Sequence, residues 1–151
     1  MIVVFYGQPG SGKTTLAKLL QERIFLLNQP TPVILDGDEI REIFKNKDYS
    51  REGRIKNLNR ISDIATFLES KYNLVIISAV YPIQEARDYL NSICDNVFWV
   101  YLNYTNIRDK EKFHVKDFDL PYNTGRKNLS INTSNFSPDD CIDRLLDFLS
   151  L

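Results

Sequence analysis

Residues Gly7-Gln8-Pro9-Gly10-Ser11-Gly12-Lys13-Thr14 fit the pattern G-x-x-x-x-G-K-[ST] at every fixed position. Glycines let the backbone fold back without Cβ clashes, so successive N–H groups can point at one anion. A helix starting at Lys13 adds the positive end of its dipole. Lys13 brings a full charge to the outer phosphates of a nucleotide, and the Thr14 hydroxyl is placed to ligate Mg²⁺. The expected phosphate site is this run together with Thr15.

A second cluster follows the short apolar run Val33-Ile34-Leu35. It reads Asp36-Gly37-Asp38-Glu39-Ile40-Arg41. Ligands in open α/β sheets sit beyond the carboxyl ends of the strands, so Asp36 and Asp38 fall on the rim that carries the phosphate loop. Two carboxylates there suit phosphoryl transfer. One can hold Mg²⁺ or its water, and the other can accept a proton from the attacking hydroxyl. Which does which stays open. The plainer alternative is an Asp-Gly turn with Asp38 as a helix N-cap. Arg41 lies one helical turn past Asp38 and can face the same site. Arg54 and Asn57 lie near the start of a later long helix, where an arginine can clamp an anion bidentately.

Positioning these residues takes alternating elements. Strands are expected at 2–6, 33–35, 74–80, 97–102 and 129–132, and helices at 13–27, 38–45, 51–71, 83–93 and 138–149. Ile2-Val3-Val4-Phe5-Tyr6 and Leu74-Val75-Ile76-Ile77-Ser78-Ala79-Val80 are apolar without alternation, as strands covered on both faces must be. Leu16, Leu19, Leu20 and Ile24 repeat at helical spacing. The expected fold is α/β: three layers, with a five-stranded, mostly or wholly parallel sheet between helices.

The 151 residues make one domain's worth of chain, with 43% hydrophobic and 26% charged residues. A net charge of −1 gives no basic field for a nucleic acid. Cys94 and Cys141 have no partner at metal-ligand spacing and suggest a reducing compartment. No apolar stretch approaches 18 residues, and the first strand leaves no room for a signal peptide, so a cytoplasmic protein without membrane contact is expected. Residues 105–128 carry little periodicity and many charges. They are expected to form a short lid, with Arg108 toward ATP and Phe113 or Phe118 either stacking on a base or anchoring the loop. His114, the one histidine, suggests no metal site.

Taken together, these segments resemble the adenylyl-sulfate (APS) kinase family. That family pairs the phosphate loop with D-G-D-x-x-R, matched by Asp36 to Arg41. It continues with F-S-x-x-D-R-x-x-N-x-x-R, where Arg54, Asn57 and Arg60 match, Tyr49 replaces Phe and Gly53 replaces Asp. Of its S-P-Y-x-x-x-R segment, Pro82 and Arg87 remain. Its lid motifs K-G-L-Y-x-K-A-R and F-T-G are absent. The resemblance implies phosphorylation of the ribose 3′-hydroxyl of a nucleotide (APS itself in the family) by ATP with Mg²⁺. Asp38 or Asp36 would take the proton, and Thr14 and Asp36 would serve the metal. Asp38, Arg41, Tyr49, Arg54, Asn57 and a lid aromatic such as Phe118 would hold the acceptor. A homodimer is compatible with it. Related enzymes act on other nucleotides, such as a cytidine diphosphate carrying a phosphoramidate. A polynucleotide 5′-kinase and a nucleotide-binding module without turnover are the remaining alternatives.

Overall fold

The computed structural model describes residues 1–104, 114–121 and 127–151. Its sheet has five parallel strands: β1 (Ile2–Tyr6), β2 (Val33–Asp36), β3 (Val75–Ser78), β4 (Val97–Asn103) and β5 (Asn128–Asn132), in the order β2-β3-β1-β4-β5. The helices are α1 (Lys13–Leu26), α2 (Gly37–Ile43), α3 (Arg51–Glu69), α4 (Gln84–Ile93) and α5 (Pro138–Leu149).

All of β1 is buried, because both faces of the sheet are covered. Ile2, Val4 and Tyr6 point into one core with Ile61 and Ala65 of α3 and Ala86 and Leu90 of α4. Val3 and Phe5 point into the other, with Leu16, Leu20 and Ile24 of α1 and Ile142, Leu145 and Leu149 of α5. The apolar stripe on each helix supplies the area that must leave water, worth about 1.5–3 kcal/mol per fully buried large side chain.

Caps fix where two site-bearing helices begin. Asp36 Oδ1 accepts from the N–H groups of Asp38 (2.9 Å) and Glu39 (3.3 Å), so α2 starts immediately after β2. The cap is therefore Asp36 and not Asp38, and β2 runs one residue further than its apolar pattern predicts. The Ser50 hydroxyl accepts from Gly53 N–H at 3.2 Å and starts α3. With β1 central and the chain departing to opposite sides of it, the carboxyl ends of β1, β2 and β3 form the crevice where ligands bind in such sheets. Among the described residues no helix is long and apolar enough to cross a membrane.

Candidate active site

The phosphate loop joins β1 to α1. Gly7 has φ +149°, and a Cβ there would meet the Leu102 carbonyl oxygen at 2.5 Å, so the tight entry needs glycine. The loop is held from within and without. Ser11 N–H donates to the Gln8 carbonyl (3.2 Å), Lys13 Nζ donates to the same oxygen (2.8 Å), and the Thr133 hydroxyl donates to the Ser11 carbonyl (2.9 Å). Gly12, at φ +97°, turns the chain into α1 and puts Lys13 and Thr14 in its first turn. Thr15 lies exposed beside them, outside the walls of the cavity described next.

A cavity of about 670 Å³ opens at this rim. Pro9, Gly10, Lys13 and Thr14 line its phosphate end, and Arg41, Tyr49, Arg54 and Asn57 line its other part; Asp36, Asp38 and Ser78 line the same space. Of the residues singled out in the sequence, Pro9, Gly10, Lys13, Thr14, Asp36, Asp38, Arg41, Tyr49, Arg54 and Asn57 thus meet in one cavity. The two aspartates differ sharply. Asp36 spends Oδ1 on capping α2, and its Oδ2 lies 3.4 Å from the Thr14 hydroxyl. The side chain of Asp38 is exposed to the cavity and makes no such bond.

The Thr14 hydroxyl is also 3.3 Å from Ser78 Oγ. Three hard oxygens therefore meet beside the phosphate loop. Mg²⁺ is usually held by one or two carboxylates together with substrate phosphates, and this donor set fits it. Among the described residues there is no group of three or more His, Cys, Asp or Glu that would make an all-protein metal cage.

At the other part of the cavity, Arg41 organises the turn before α3. Its Nη1 donates to the Asn46 carbonyl (3.2 Å), Asn46 Oδ1 (3.1 Å) and the Asp48 carbonyl (3.1 Å). Its pKa is drawn below the ordinary value first by partial burial, against the opposing pull of Tyr49, Asp38 and Asp48; an arginine stays charged all the same. The guanidinium sits 4.3 Å from the Tyr49 ring centre, and that of Arg54 sits 5.7 Å from it. Arg54 Nε donates to the Tyr49 carbonyl at 2.9 Å. Tyr49 itself is 62% exposed, an aromatic surface backed by two cations. Asn57 is 3% exposed, and its buried Oδ1 has no partner. An orphaned buried acceptor at a cavity wall is a place for a ligand's donor.

Two expectations change. Phe118 does not line this cavity; it packs on the Arg87 guanidinium (5.4 Å) and near Tyr101 (5.9 Å), so it anchors its segment. Gln8 contributes its backbone to the loop, but its side chain is turned to Val115: Nε2 donates to the Val115 carbonyl (2.9 Å) and Oε1 accepts from Val115 N–H (2.8 Å). Arg108 and Phe113 lie outside the described residues, as does most of the expected lid.

The sequence places Tyr81-Pro82 at the turn on this rim, but it does not reveal Ser78 or the depth of Tyr81 and Arg87. Tyr81 is fully buried at φ +46°, a strained setting for a bulky residue. Its hydroxyl is 2.9 Å from Ser62 Oγ, and its ring meets Trp99 edge-on at 5.4 Å. Arg87, 3% exposed, donates to the carbonyls of Tyr81 and Asp119 and to Gln84 Oε1. A tyrosine followed by proline, just past a strand, was the available signal for a constrained rim.

The sequence model of the adenylylsulphate kinase family matches residues 1–128. The chain is 30% identical to the cytidine diphosphoramidate kinase of Campylobacter jejuni, over 88% of this chain and 86% of that one. It is 27% identical to the adenylyl-sulfate kinase of Clostridium kluyveri, over 99% and 83%. Among solved structures, the APS kinase of Mycobacterium tuberculosis in complex with AMPPNP and APS superposes with a TM-score of 0.82 at 21% identity, covering 99% of this chain and 97% of that one. That likeness shows the fold, and the family match shows the lineage: the chain belongs to the adenylylsulphate kinase family of phosphate-loop kinases.

Proposed function

We propose that the chain transfers the γ-phosphoryl group of ATP to the ribose 3′-hydroxyl of a nucleoside 5′-phosphate that carries a second anionic group, as adenylyl sulfate does. One observation carries the reading: a single cavity joins the phosphate loop to Arg41, Tyr49, Arg54 and Asn57, with the unengaged Asp38 carboxylate on its wall.

Each residue then has a task. The loop amides and Lys13 hold the ATP phosphates and meet the charge that spreads over the transferred group. Arg41 and Arg54 hold the acceptor's anionic part, and Tyr49 offers its ring to the base. Asp38 accepts the 3′-hydroxyl proton as that oxygen bonds the γ-phosphorus and the bond to the β-phosphate oxygen breaks, leaving ADP. Asp36 is unsuited to that task because one of its oxygens caps α2 and the other faces Thr14. Thr14, Asp36 and Ser78 would hold Mg²⁺ or its water. The ion, when bound, neutralises charge on the β- and γ-phosphates.

Cytidine diphosphoramidate is the second acceptor reading. It is favoured by the relative of that name, which is 30% identical over most of both chains. Both acceptors share one chemistry, a nucleoside 5′-phosphate extended by a further tetrahedral group. ADP release measured with adenylyl sulfate, cytidine diphosphoramidate, plain nucleoside monophosphates and a 5′-hydroxyl oligonucleotide tests the reading. Turnover with either of the first two supports it and chooses between them. Turnover with the oligonucleotide alone would overturn it.

A further inference from the structure

Gln8 occupies a variable position of the phosphate loop, yet its side chain is fully engaged. The amide and the Val115 backbone exchange two hydrogen bonds, at 2.9 and 2.8 Å, closing a ring across 107 positions of sequence. A side-chain amide has the same donor and acceptor as a peptide unit, so the contact works like one rung of a sheet. Val115 is itself part of the cavity wall, alongside Pro9 and Gly10.

The same segment is pinned again four residues on. Asp119 N–H donates to the Pro82 carbonyl (2.8 Å), and Asp119 Oδ2 accepts from Gln84 N–H at the start of α4 (2.8 Å). The Asp119 carbonyl takes Arg87 Nη2 at 2.6 Å. Residues 115–119 therefore run as a strap from the phosphate loop to the rim at Pro82, tied at both ends. Pro82 and Val115 line the cavity at the strap's two moorings.

We infer that Gln8 is a positioning residue for phosphoryl transfer: its side chain holds the Val115 wall against the phosphate loop, and so sets how closely the acceptor approaches the phosphoryl group. This rests on the kinase reading above. The backbone of Gln8 does separate work, since its carbonyl takes Lys13 Nζ and Ser11 N–H whatever the side chain is. Losing the amide therefore spares the loop that grips ATP and frees the wall. The strap's anchor at Asp119 does not replace it, because that anchor holds the other end.

Two variants and two readouts test this. Gln8→Leu removes both hydrogen bonds at similar size. Gln8→Glu keeps the oxygen facing Val115 N–H but sets a second oxygen against the Val115 carbonyl. In Gln8→Leu, exchange of the Val115 amide hydrogen should speed up about tenfold or more, the loss expected for two neutral hydrogen bonds, whereas Gln8→Glu keeps the acceptor for that N–H and should change its exchange less. In both, kcat/KM for the acceptor should fall about tenfold while KM for ATP stays within about twofold, the split expected when alignment rather than ATP binding is lost. Unchanged amide exchange in Gln8→Leu would overturn the inference. So would unchanged acceptor kinetics despite faster exchange, or a parallel rise in KM for ATP, which would make Gln8 a brace of the phosphate loop. If the wild-type protein turned over no nucleotide, the kinase reading would fall, and amide exchange would still decide whether Gln8 holds the strap.

Discussion

Asp36 and Ser78 are register partners at the carboxyl ends of β2 and β3, and the Thr14 hydroxyl lies within 3.4 Å of Asp36 Oδ2 and 3.3 Å of Ser78 Oγ. Strand pairing, not sequence proximity, assembles this oxygen cluster. Ser78→Ala removes one member and leaves the phosphate-loop residues in place, at the loss of the 3.3 Å contact with the Thr14 hydroxyl. The Mg²⁺ concentration giving half-maximal activity should rise about tenfold to a hundredfold, the usual cost of losing a group that supports a metal ligand. An unchanged Mg²⁺ dependence would detach Ser78 from the metal site.

Asp38 and Asp36 should fail in different ways. Asp38→Asn should lower kcat by about 10²–10⁴-fold with ATP binding preserved, because it removes a proton acceptor rather than a phosphate contact. Asp36→Asn should raise the Mg²⁺ concentration that activity needs while leaving the start of α2 in place, since asparagine keeps the capping oxygen. If Asp38→Asn kept its kcat and Asp36→Asn lost it, the base would be Asp36.

Lys13→Ala should lower turnover by at least about 10²–10³-fold, since the charge that meets the transferred phosphoryl oxygens is gone. The lost bond to the Gln8 carbonyl, 2.8 Å in the native loop, adds a structural cost. Steady-state rates near the wild-type value would remove this lysine from catalysis.

Gly53 stands where the family pattern has aspartate, and its surroundings show the consequence. A Cβ at Gly53 would collide with Asp48 Cγ and with the Asp48 carbonyl oxygen. The same turn carries Tyr49 and is tied by Asn46 Nδ2 to the Gly53 carbonyl (3.2 Å). Gly53→Ala should push residues 46–49 away from α3, cost about 1–3 kcal/mol as an overpacked site, and raise KM for the acceptor more than KM for ATP. Thermal unfolding and the two KM values check this; equal KM values in variant and wild type would show that Tyr49 does not depend on the packing of Gly53.

The alkaline limb of stability should depend on Tyr6. Its ring is 3% exposed, packs edge-on to Trp99 and lies under the Arg87 guanidinium. Burial pushes its phenol up to about 12, with Arg87 pulling the other way and Tyr101 adding to the rise. A raised pKa in the folded state means that folding favours the neutral phenol. Its contribution is fully present below the ordinary tyrosine value of about 10 and is lost as pH rises from there through about 12. Tyr6→Phe should therefore lose stability less steeply than wild type over that interval in urea titrations. Identical slopes would contradict the assignment.

The fold was largely legible because the central strands β1 and β3 are buried throughout and read as apolar runs, whereas the edge strand β5, Asn128–Asn132, is polar at three of its positions and exposes Ser130. The phosphate loop was legible because its residues are contiguous. Ser78 was hidden: inside Val75–Ser78 it looks like the end of a strand, and only its pairing with Asp36 reveals its place. The contact of Gln8 with Val115 and the stack of Phe118 on Arg87 join residues far apart in the chain, and no local periodicity encodes them. The capping role of Asp36 was missed for a smaller reason, since β2 continues one residue past its last apolar side chain.

The position of the new phosphate is the most direct test of the central claim. Product made from ATP and adenylyl sulfate, or cytidine diphosphoramidate, should show the added phosphorus coupled to the ribose 3′-proton by NMR, and the 3′-deoxy acceptor should give no product. Phosphate on any other oxygen, or equal turnover of the 3′-deoxy acceptor, would contradict a nucleotide 3′-kinase.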